Sequence, residues 1–575
     1  MNSDSMDSSS SSVGAGESSE SDQDLLRNTW RNNQIKIHSS ASTNTSTLSA
    51  QSQVLGNLDL LQSIFVFFHS GVETVARIPM PDSKHLLLAS LTCKTFFEPA
   101  MNVLWRAMDS CVPLLRLIPA LTKEEKVYTM DGIIHEADLQ RLSLYGRRTR
   151  RLDLLDRTHP VSPYIYTCLL QLSHSHLFPA LRQLIIPDLA DIADEDYPGL
   201  FLIPSSILIE LSISSIEIHT GSIAASFLQN VYMKSPTLQK LVLTGYLTGS
   251  ADLLNYVNRF VNLETLKIDC WYTELPGDTL EHFSKLPCLK TLRIGFDDDS
   301  SFVPPSSKPS FETLHDLDIS ASASQILVIL RHMVLQCLKG IQVHITSLGN
   351  GASQASLGEC VQQISIATTA TQSLKTVWIT SADASVVIPA SELRWLVQAQ
   401  TTHIDISVDL ISCEMIGLLS PNSGLQTIEK LVLRSGRGNG KVLGIRTINL
   451  VGWLQSLGLF PNLKYLAVAI TLRMNAPSLK AMRERLQVPT TCHELQELAF
   501  LPFNDSRKML TVAGSATVEN AFVLARYINH FCPHLRKLDF SKVIEIDSDW
   551  RKGVEVMVKG LQEKGETKHT CQDKK

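Results

Sequence analysis

Eleven cysteines are scattered along the chain without a CxxC pair or a close Cys/His group, which excludes the ligand spacing of a zinc ribbon or a dithiol redox motif. Taken singly they read as free buried thiols of a reducing compartment. Dense basic runs are missing as well. Fifty-two Lys and Arg stand against 57 Asp and Glu, a net charge of -5, so neither nucleic acid nor an anionic membrane is an expected partner. Long apolar runs are absent too: the strongest burst, IFVFF at Ile64 to Phe68, falls far short of the ~20 residues a membrane helix needs. The acidic, Ser-rich start lacks the basic and apolar blocks of a signal peptide. The expected compartment is cytoplasm or nucleus, where the sequons at Asn44 and Asn504 are chance matches.

Catalytic motifs are equally scarce. No GxSxG elbow and no HExxH zinc helix occurs. The glycine-rich RSGRGNGKV at Arg434 to Val442 places Ser435 and Val442 where a phosphate loop needs glycine and a hydroxyl. Gly438, Gly440 and Gly444 miss the dinucleotide spacing by one residue, so a loop between repeats is the better reading. Asp297 to Asp299 sit in a Ser/Pro-rich loop and read as solvated carboxylates. His174 and His176 have no third ligand nearby. The chain is expected to be no enzyme and to need no cofactor or metal; a hydrolase hidden in the second half has no motif in its favour.

What the chain does have is a recurrence. LxxLxL appears as LRQLII at Leu181, LIELSI at Leu208, LQKLVL at Leu238, LETLKI at Leu263, LKTLRI at Leu289 and LHDLDI at Leu314. Looser copies follow: LKGIQV at Leu338, LKTVWI at Leu374, IEKLVL at Ile428, LKYLAV at Leu463, LQELAF at Leu495 and LRKLDF at Leu535. RLDLL around Leu152 and HIDIS around Ile404 keep only the alternating core. From Leu184 through Leu211, Leu241, Leu266, Leu292 and Leu317 to Ile341 the steps are 27, 30, 25, 26, 25 and 24 residues. Beyond Ile341 they lengthen to 36, 27, 27, 35, 32 and 40 through Val377, Ile404, Leu431, Leu466, Leu498 and Leu538, and the repeat boundaries there are open.

Two apolar residues spaced by two share one face of a strand, and the Leu three positions earlier turns inward from the approaching loop. Each step has room for one strand and one helix. A unit of that size cannot hide its apolar face alone, so the units must stack. Corners such as FPALRQL, SPTLQKL, LPCLKTL, FPNLKYL and CPHLRKL place a proline where a helix stops and extended chain begins. The pattern resembles irregular leucine-rich repeats of the longer, helix-bearing kind, although the asparagine ladder after the strand is mostly missing and Cys270 alone approaches it.

The segment before the repeats differs in character. Residues 1–53 carry 16 serines and few large apolar groups, so they cannot offset their ordering entropy and read as a disordered lead-in. From Val54, Leu58, Leu61, Ile64, Phe65 and Phe68 form one helical stripe. LLASLTCKTFFEPAMNVLWRAM then reads as two helices divided at Pro99, with Met101, Leu104, Trp105 and Met108 on one face of the second.

NLDLLQSIF, LLLASLTCKTFFEPA and VLWRAM together resemble an F-box. That family opens with Leu-Pro-x-Glu-Leu-Leu-x-x-Ile-Phe, of which Asp59, Leu60, Leu61, Ile64 and Phe65 match the later part. Cys93, Lys94 and Phe96 follow its Val-Cys-Lys/Arg-x-Trp, and Leu104 and Trp105 its closing Leu-Trp. Gly56 and Asn57 stand where the family has Leu-Pro, and the interval from Phe68 to Leu86 is longer than usual. The order of F-box and irregular repeats is similar to large F-box-like families of mushroom-forming fungi.

The resemblance implies an α/β chain: a short three-helix F-box-like module, then an irregular leucine-rich-repeat solenoid, a curved parallel sheet with outer helices. Its parts are a Ser-rich segment at 1–53, the helical module at 54–110, a helical connector at 111–147, the solenoid at 148–545 and a charged tail at 546–575. It implies a substrate-recognition subunit of an SCF-type ubiquitin ligase. The module would hold a Skp-family adaptor, and through it a cullin, with Leu60, Leu61, Ile64, Phe65, Leu88, Leu91, Phe96 and Trp105. The strands would present an unknown protein target with outward residues such as Lys267, Arg293, Trp378 and Arg434. The alternative is a non-enzymatic repeat scaffold whose helical module is only a cap on the open end.

Overall fold

The computed structural model describes residues 55–69, 83–155, 160–172, 177–192, 197–247, 251–272, 274–297, 300–347, 354–369, 374–381, 401–407, 427–434, 457, 460–468, 480, 483–484, 495–500, 518–539 and 548–572. The Ser-rich segment, His174, His176, Asp298, Asp299 and the glycine-rich stretch after Arg434 lie outside them.

Three helices come first: α1 (Leu58–His69), α2 (Ser83–Thr92) and α3 (Lys94–Leu104). The chain then enters a single parallel sheet of 15 strands arranged in chain order. The strands are β1 (Ala107–Met108), β2 (Arg151–Asp153), β3 (Gln183–Ile186), β4 (Glu210–Ile216), β5 (Lys240–Gly245), β6 (Thr265–Cys270), β7 (Thr291–Phe296) and β8 (Asp316–Ala321). They continue as β9 (Gly340–Ile345), β10 (Thr376–Ser381), β11 (His403–Ser407), β12 (Lys430–Arg434), β13 (Tyr465–Val468), β14 (Glu497–Phe500) and β15 (Lys537–Asp539). Helices between strands include α4 (Glu136–Gly146), α5 (Pro163–Leu172), α6 (Gly221–Lys234), α7 (Ala251–Val257), α8 (Asp278–Ser284), α9 (Ala323–Arg331), α10 (Gln354–Thr369) and α11 (Val518–Phe531). A final helix, α12 (Ser548–Gln572), follows the sheet.

All fourteen strand cores read from the recurrence are strands, and they pair in one register. Leu152 faces Leu184, and the row runs without a slip through Leu211, Leu241, Leu266, Leu292, Leu317, Ile341, Val377, Ile404, Leu431, Leu466 and Leu498 to Leu538. The row is buried up to Leu498, as are the leucines three positions ahead, Leu181, Leu208, Leu238, Leu263, Leu289, Leu314, Leu338 and Leu374 among them. The architecture is an α/β solenoid that resembles a leucine-rich-repeat body. Hydroxyls tie neighbouring units together: buried Ser381 Oγ donates to the Ile345 carbonyl, buried Ser205 Oγ to Leu181 and half-buried Thr427 Oγ1 to Thr401. The prolines at the corners act as expected, α6 ending at Lys234 just before Pro236.

Four local readings change. A fifteenth strand, β1, pairs with β2 through Ala107 and Met108, so the sheet begins inside the stretch assigned to the helical module and Met108 is a strand residue. Two residues are too few to show a period. Pro99 lies inside α3, and the joint between α2 and α3 is Cys93, extended at φ -154° and ψ 160°. Proline in the second helical turn withdraws the N–H that would serve the Thr95 carbonyl, a cost accepted where Pro99 is buried. The connector is mixed rather than helical, with an antiparallel hairpin of Leu121–Glu124 and Val127–Met130 turning at Glu125, φ +53°. The charged tail supplies α12, which docks by Val554 and Val558, a helical pair that buries against the core shared with α11.

Because Leu266 points inward, Leu266→Ala is expected to cost about 3 kcal/mol, the transfer term plus the cavity term. Amide exchange should then quicken in β5 to β7, since each unit leans only on its neighbours. Lys267→Ala, one residue on but facing out, should change urea unfolding by less than about 0.5 kcal/mol. Equal losses from both would contradict the inward row.

Candidate functional site

The helical module is built around α3, against which α1 and α2 both pack. Its small core is Leu61, Phe65, Leu86, Ala100 and Val103, with Phe65 and Phe96 edge to face at 5.7 Å. Asn57 starts α1, its Oδ1 accepting from the N–H groups of Asp59 and Leu60 at 3.1 Å each. The residue that replaces the family's proline is therefore an N-cap, a role readable from Asn placed just before an apolar helix.

The stripe read on α1 divides. Leu61 and Phe65 turn inward, while Leu58, Leu60, Ile64 and Phe67 are 39 to 79% exposed. On α2 Leu86 is inside, and Leu88 and Leu91 stand at 51% and 48%. With Leu55, seven of the 25 exposed large apolar side chains among the described residues fall between positions 55 and 91. Exposed apolar side chains are thus concentrated on α1 and α2. Of the eight residues expected to hold an adaptor, Leu60, Ile64, Leu88 and Leu91 are exposed on these two helices. Leu61 and Phe65 are not, being the module's own core, and half-buried Phe96 packs on the same core. Trp105 is half-buried at the joint with the solenoid, its ring 4.9 Å from that of Tyr145. The strict helical spacing that put Leu58, Leu61 and Ile64 on one stripe hid this division; exposed Leu58 and Phe67 are not among the eight.

That joint is polar as well as aromatic. Arg148, 7% exposed just beyond α4, grips the Glu98 carboxylate with two nitrogens at 2.8 and 3.1 Å. It also donates to Asn102 Oδ1 and lies over the Tyr145 ring at 5.7 Å. A bidentate fork of this kind fixes orientation as well as adding energy. Burial pushes the Tyr145 hydroxyl above its usual range, against the opposing pull of Arg148. So α3 has two faces: one carries the module's core, and the other is fastened to the solenoid.

On the open side of the sheet, Lys267, Arg293 and Trp378 occupy one register row with Asp318 and Gln342 between the last two. Arg293 is already engaged, its Nε 3.4 Å from Asp269 and its Nη1 3.6 Å from Asp318. Burial raises the Asp318 carboxyl, with Arg293 opposing. Burial also holds His344 below its ordinary range, and its Nδ1 lies 2.7 Å from Thr380 Oγ1. Gly295 makes room for this cluster, because a Cβ there would meet Asp269 Oδ1 at 2.1 Å. Trp378 is 45% exposed, available as an anchor. Arg434 ends β12, but its side chain lies outside the described residues. Asp297, far from a free carboxylate, accepts the Tyr272 N–H. Among the described residues, no three His, Cys, Asp or Glu side chains are placed to hold a metal ion, and no helix is long and apolar enough to cross a membrane.

No family model matches the chain, and no curated protein matches it. Among solved structures it is similar to TLR13 in its complex with ssRNA13, at 12% identity over 69% of this chain and 53% of that one, with a TM-score of 0.27. The chain thus spans about half the length of that protein. At that score the match adds nothing to the architecture read from strand register.

The module also carries a chemical reporter. Cys93 is fully exposed at the α2–α3 joint, and its hydrogen bond with Thr95 holds the thiol below its usual range. Burial pushes Cys111 and Cys360 up to about 12. Iodoacetamide at neutral pH, followed by peptide mass analysis, should modify Cys93 at least about a hundredfold faster than either buried thiol, since the thiolate is the nucleophile. Comparable rates would contradict the placement of these cysteines.

Proposed function

We propose that the chain is a non-catalytic substrate-recognition subunit of an SCF-type ubiquitin ligase. In this reading α1 and α2 dock on a Skp-family adaptor, and through it a cullin, while the repeat surface recruits a protein target. The observation that carries it is the outward apolar set Leu58, Leu60, Ile64, Phe67, Leu88 and Leu91 on helices whose own core is closed. A segment that served only as a cap would turn its apolar side onto the solenoid. Here α3 alone does so, through Trp105 and the Glu98–Arg148 grip. The match of Asp59, Leu60, Leu61, Ile64, Phe65, Cys93, Lys94, Leu104 and Trp105 to the F-box pattern supports the same reading.

The second reading, a repeat scaffold without a ligase, is favoured by that same joint, which is what a cap requires. The two readings separate in one binding assay. Ile64→Asp with Leu88→Asp, both at exposed positions, should weaken binding to a purified Skp adaptor more than about a hundredfold, as burying two such side chains is worth ~3 kcal/mol or more. The thermal transition should stay where it is. Phe65→Asp should instead lower that transition, because it places a carboxylate in the module's core. A wild-type chain that does not bind the adaptor would leave the scaffold reading in possession.

A further inference from the structure

Four strand entrances carry an acid on one unit and a base on the next. The pairs are Glu210 with Lys240, Glu264 with Lys290 at 2.9 Å, Glu429 with Lys464 at 3.3 Å and Glu497 with Lys537 at 3.9 Å. Opposite charges on neighbouring strands stabilise a sheet, and like charges directly opposite are destabilising. The first three strands differ, with a base at each entrance. Arg106, Arg150 and Arg182 immediately precede β1, β2 and β3, and the backbone ladder stacks them. The Arg150 N–H donates to the Arg106 carbonyl, and the Arg182 N–H to the Arg150 carbonyl, both at 2.8 Å.

All three arginines are exposed. Their backbones are stacked at the strand interval of about 4.8 Å, close enough for the charges of Arg182 and Arg106 to act on Arg150. Among the described residues none of them has an ion-pair partner. Burial, then the charges of Arg182 and Arg106, holds the Arg150 guanidinium below its usual range, and no carboxylate acts against that. The nearby acid is already used, Asp153 being gripped by Arg151 at 2.8 Å. The one side-chain bond in the ladder is Arg150 Nη1 to the Ala180 carbonyl at 3.1 Å. Lys339 and Lys375 make a shorter like-charged step on the same edge, stacked through the Lys375 N–H to the Lys339 carbonyl. An ammonium is a strongly hydrated point charge, whereas guanidinium forks are weakly hydrated and match carboxylates two bonds at a time.

We propose that Arg106, Arg150 and Arg182 form a docking strip for a carboxylate-rich segment of a partner protein. A line of three forks calls for several anionic groups in a row. Three forks span only three strands, a short run that suits a few carboxylates of a peptide, whereas a long nucleic-acid backbone would run on past β3 to Glu210 and Glu264, already paired with Lys240 and Lys290. The proposal rests on reading the repeat body as a partner-binding surface. It does not depend on adaptor docking by α1 and α2, so either can fail without the other.

The test is fluorescence anisotropy with the full chain at low ionic strength, using a labelled glutamate-rich peptide, its glutamine counterpart and a single-stranded RNA of matched charge. The glutamate peptide should bind and the glutamine peptide should not. Arg106→Glu with Arg182→Glu, which leaves the Arg150–Ala180 bond in place, should weaken binding by at least about tenfold with an unchanged thermal transition. Should charge reversal impair folding, Arg106→Gln with Arg182→Gln serves for the same comparison. Undiminished binding by these variants, or tighter binding of the RNA than of the peptide, would overturn the proposal. So would peptide binding that appears only when Asp4, Asp7, Glu17, Glu20, Asp22 and Asp24 are neutralised in the full chain, because the strip would then belong to the chain's own terminus.

Discussion

Every unit of this chain hides its apolar face only by pressing it against the unit before and the unit after. The contact that enforces this is the unbroken row from Leu152 to Leu498, one buried aliphatic side chain per strand, each in register with the next. A slip of one residue anywhere would turn a whole strand's apolar pair to solvent, so the register defends itself. Strand entrances, corners and outward rows are all consequences of that row. Its ends are its weakness, since a first and last strand have a neighbour on one side only.

The two ends are met differently. At the C-terminal end α12 lays Val554 and Val558 against the core it shares with α11. At the N-terminal end the sheet is extended by β1, and β1 is the direct continuation of α3, so the helical module is joined to the solenoid by the shortest possible link. The grip of Arg148 on Glu98 and the tilted ring contact of Trp105 with Tyr145 then hold α3 in place. A module anchored by one helix is free to turn its other two outward. That is the physical basis for giving it both a capping and a docking role.

Most of the solenoid was legible because its signal is repeated. No single LxL is specific, but fourteen in order, with a Leu three positions ahead of most, leave one face to bury and one way to bury it. β1 escaped because Ala107 and Met108 are too few to alternate, and the hairpin at Leu121 to Met130 because charged residues occupy its exposed side. On the helices, apolar spacing identified the elements but not which apolar residues face inward. Leu61 and Ile64 read alike in sequence, and only the packing of α3 against α1 separates them. The outward polar rows show the same limit: Arg293 and Trp378 were both marked as contacts, yet Arg293 is held by Asp269 and Asp318 while Trp378 stands open. Pairing depends on strand neighbours some 25 residues away, which local sequence does not display.

The proposed docking role of the helical module goes beyond that of an end cap. Hydrogen–deuterium exchange of the full chain with and without a purified Skp adaptor tests it most directly. Docking should protect amides in α1 and α2 while β6 to β9 exchange as before. Unchanged exchange in α1 and α2 at saturating adaptor, or protection confined to the strands, would contradict it.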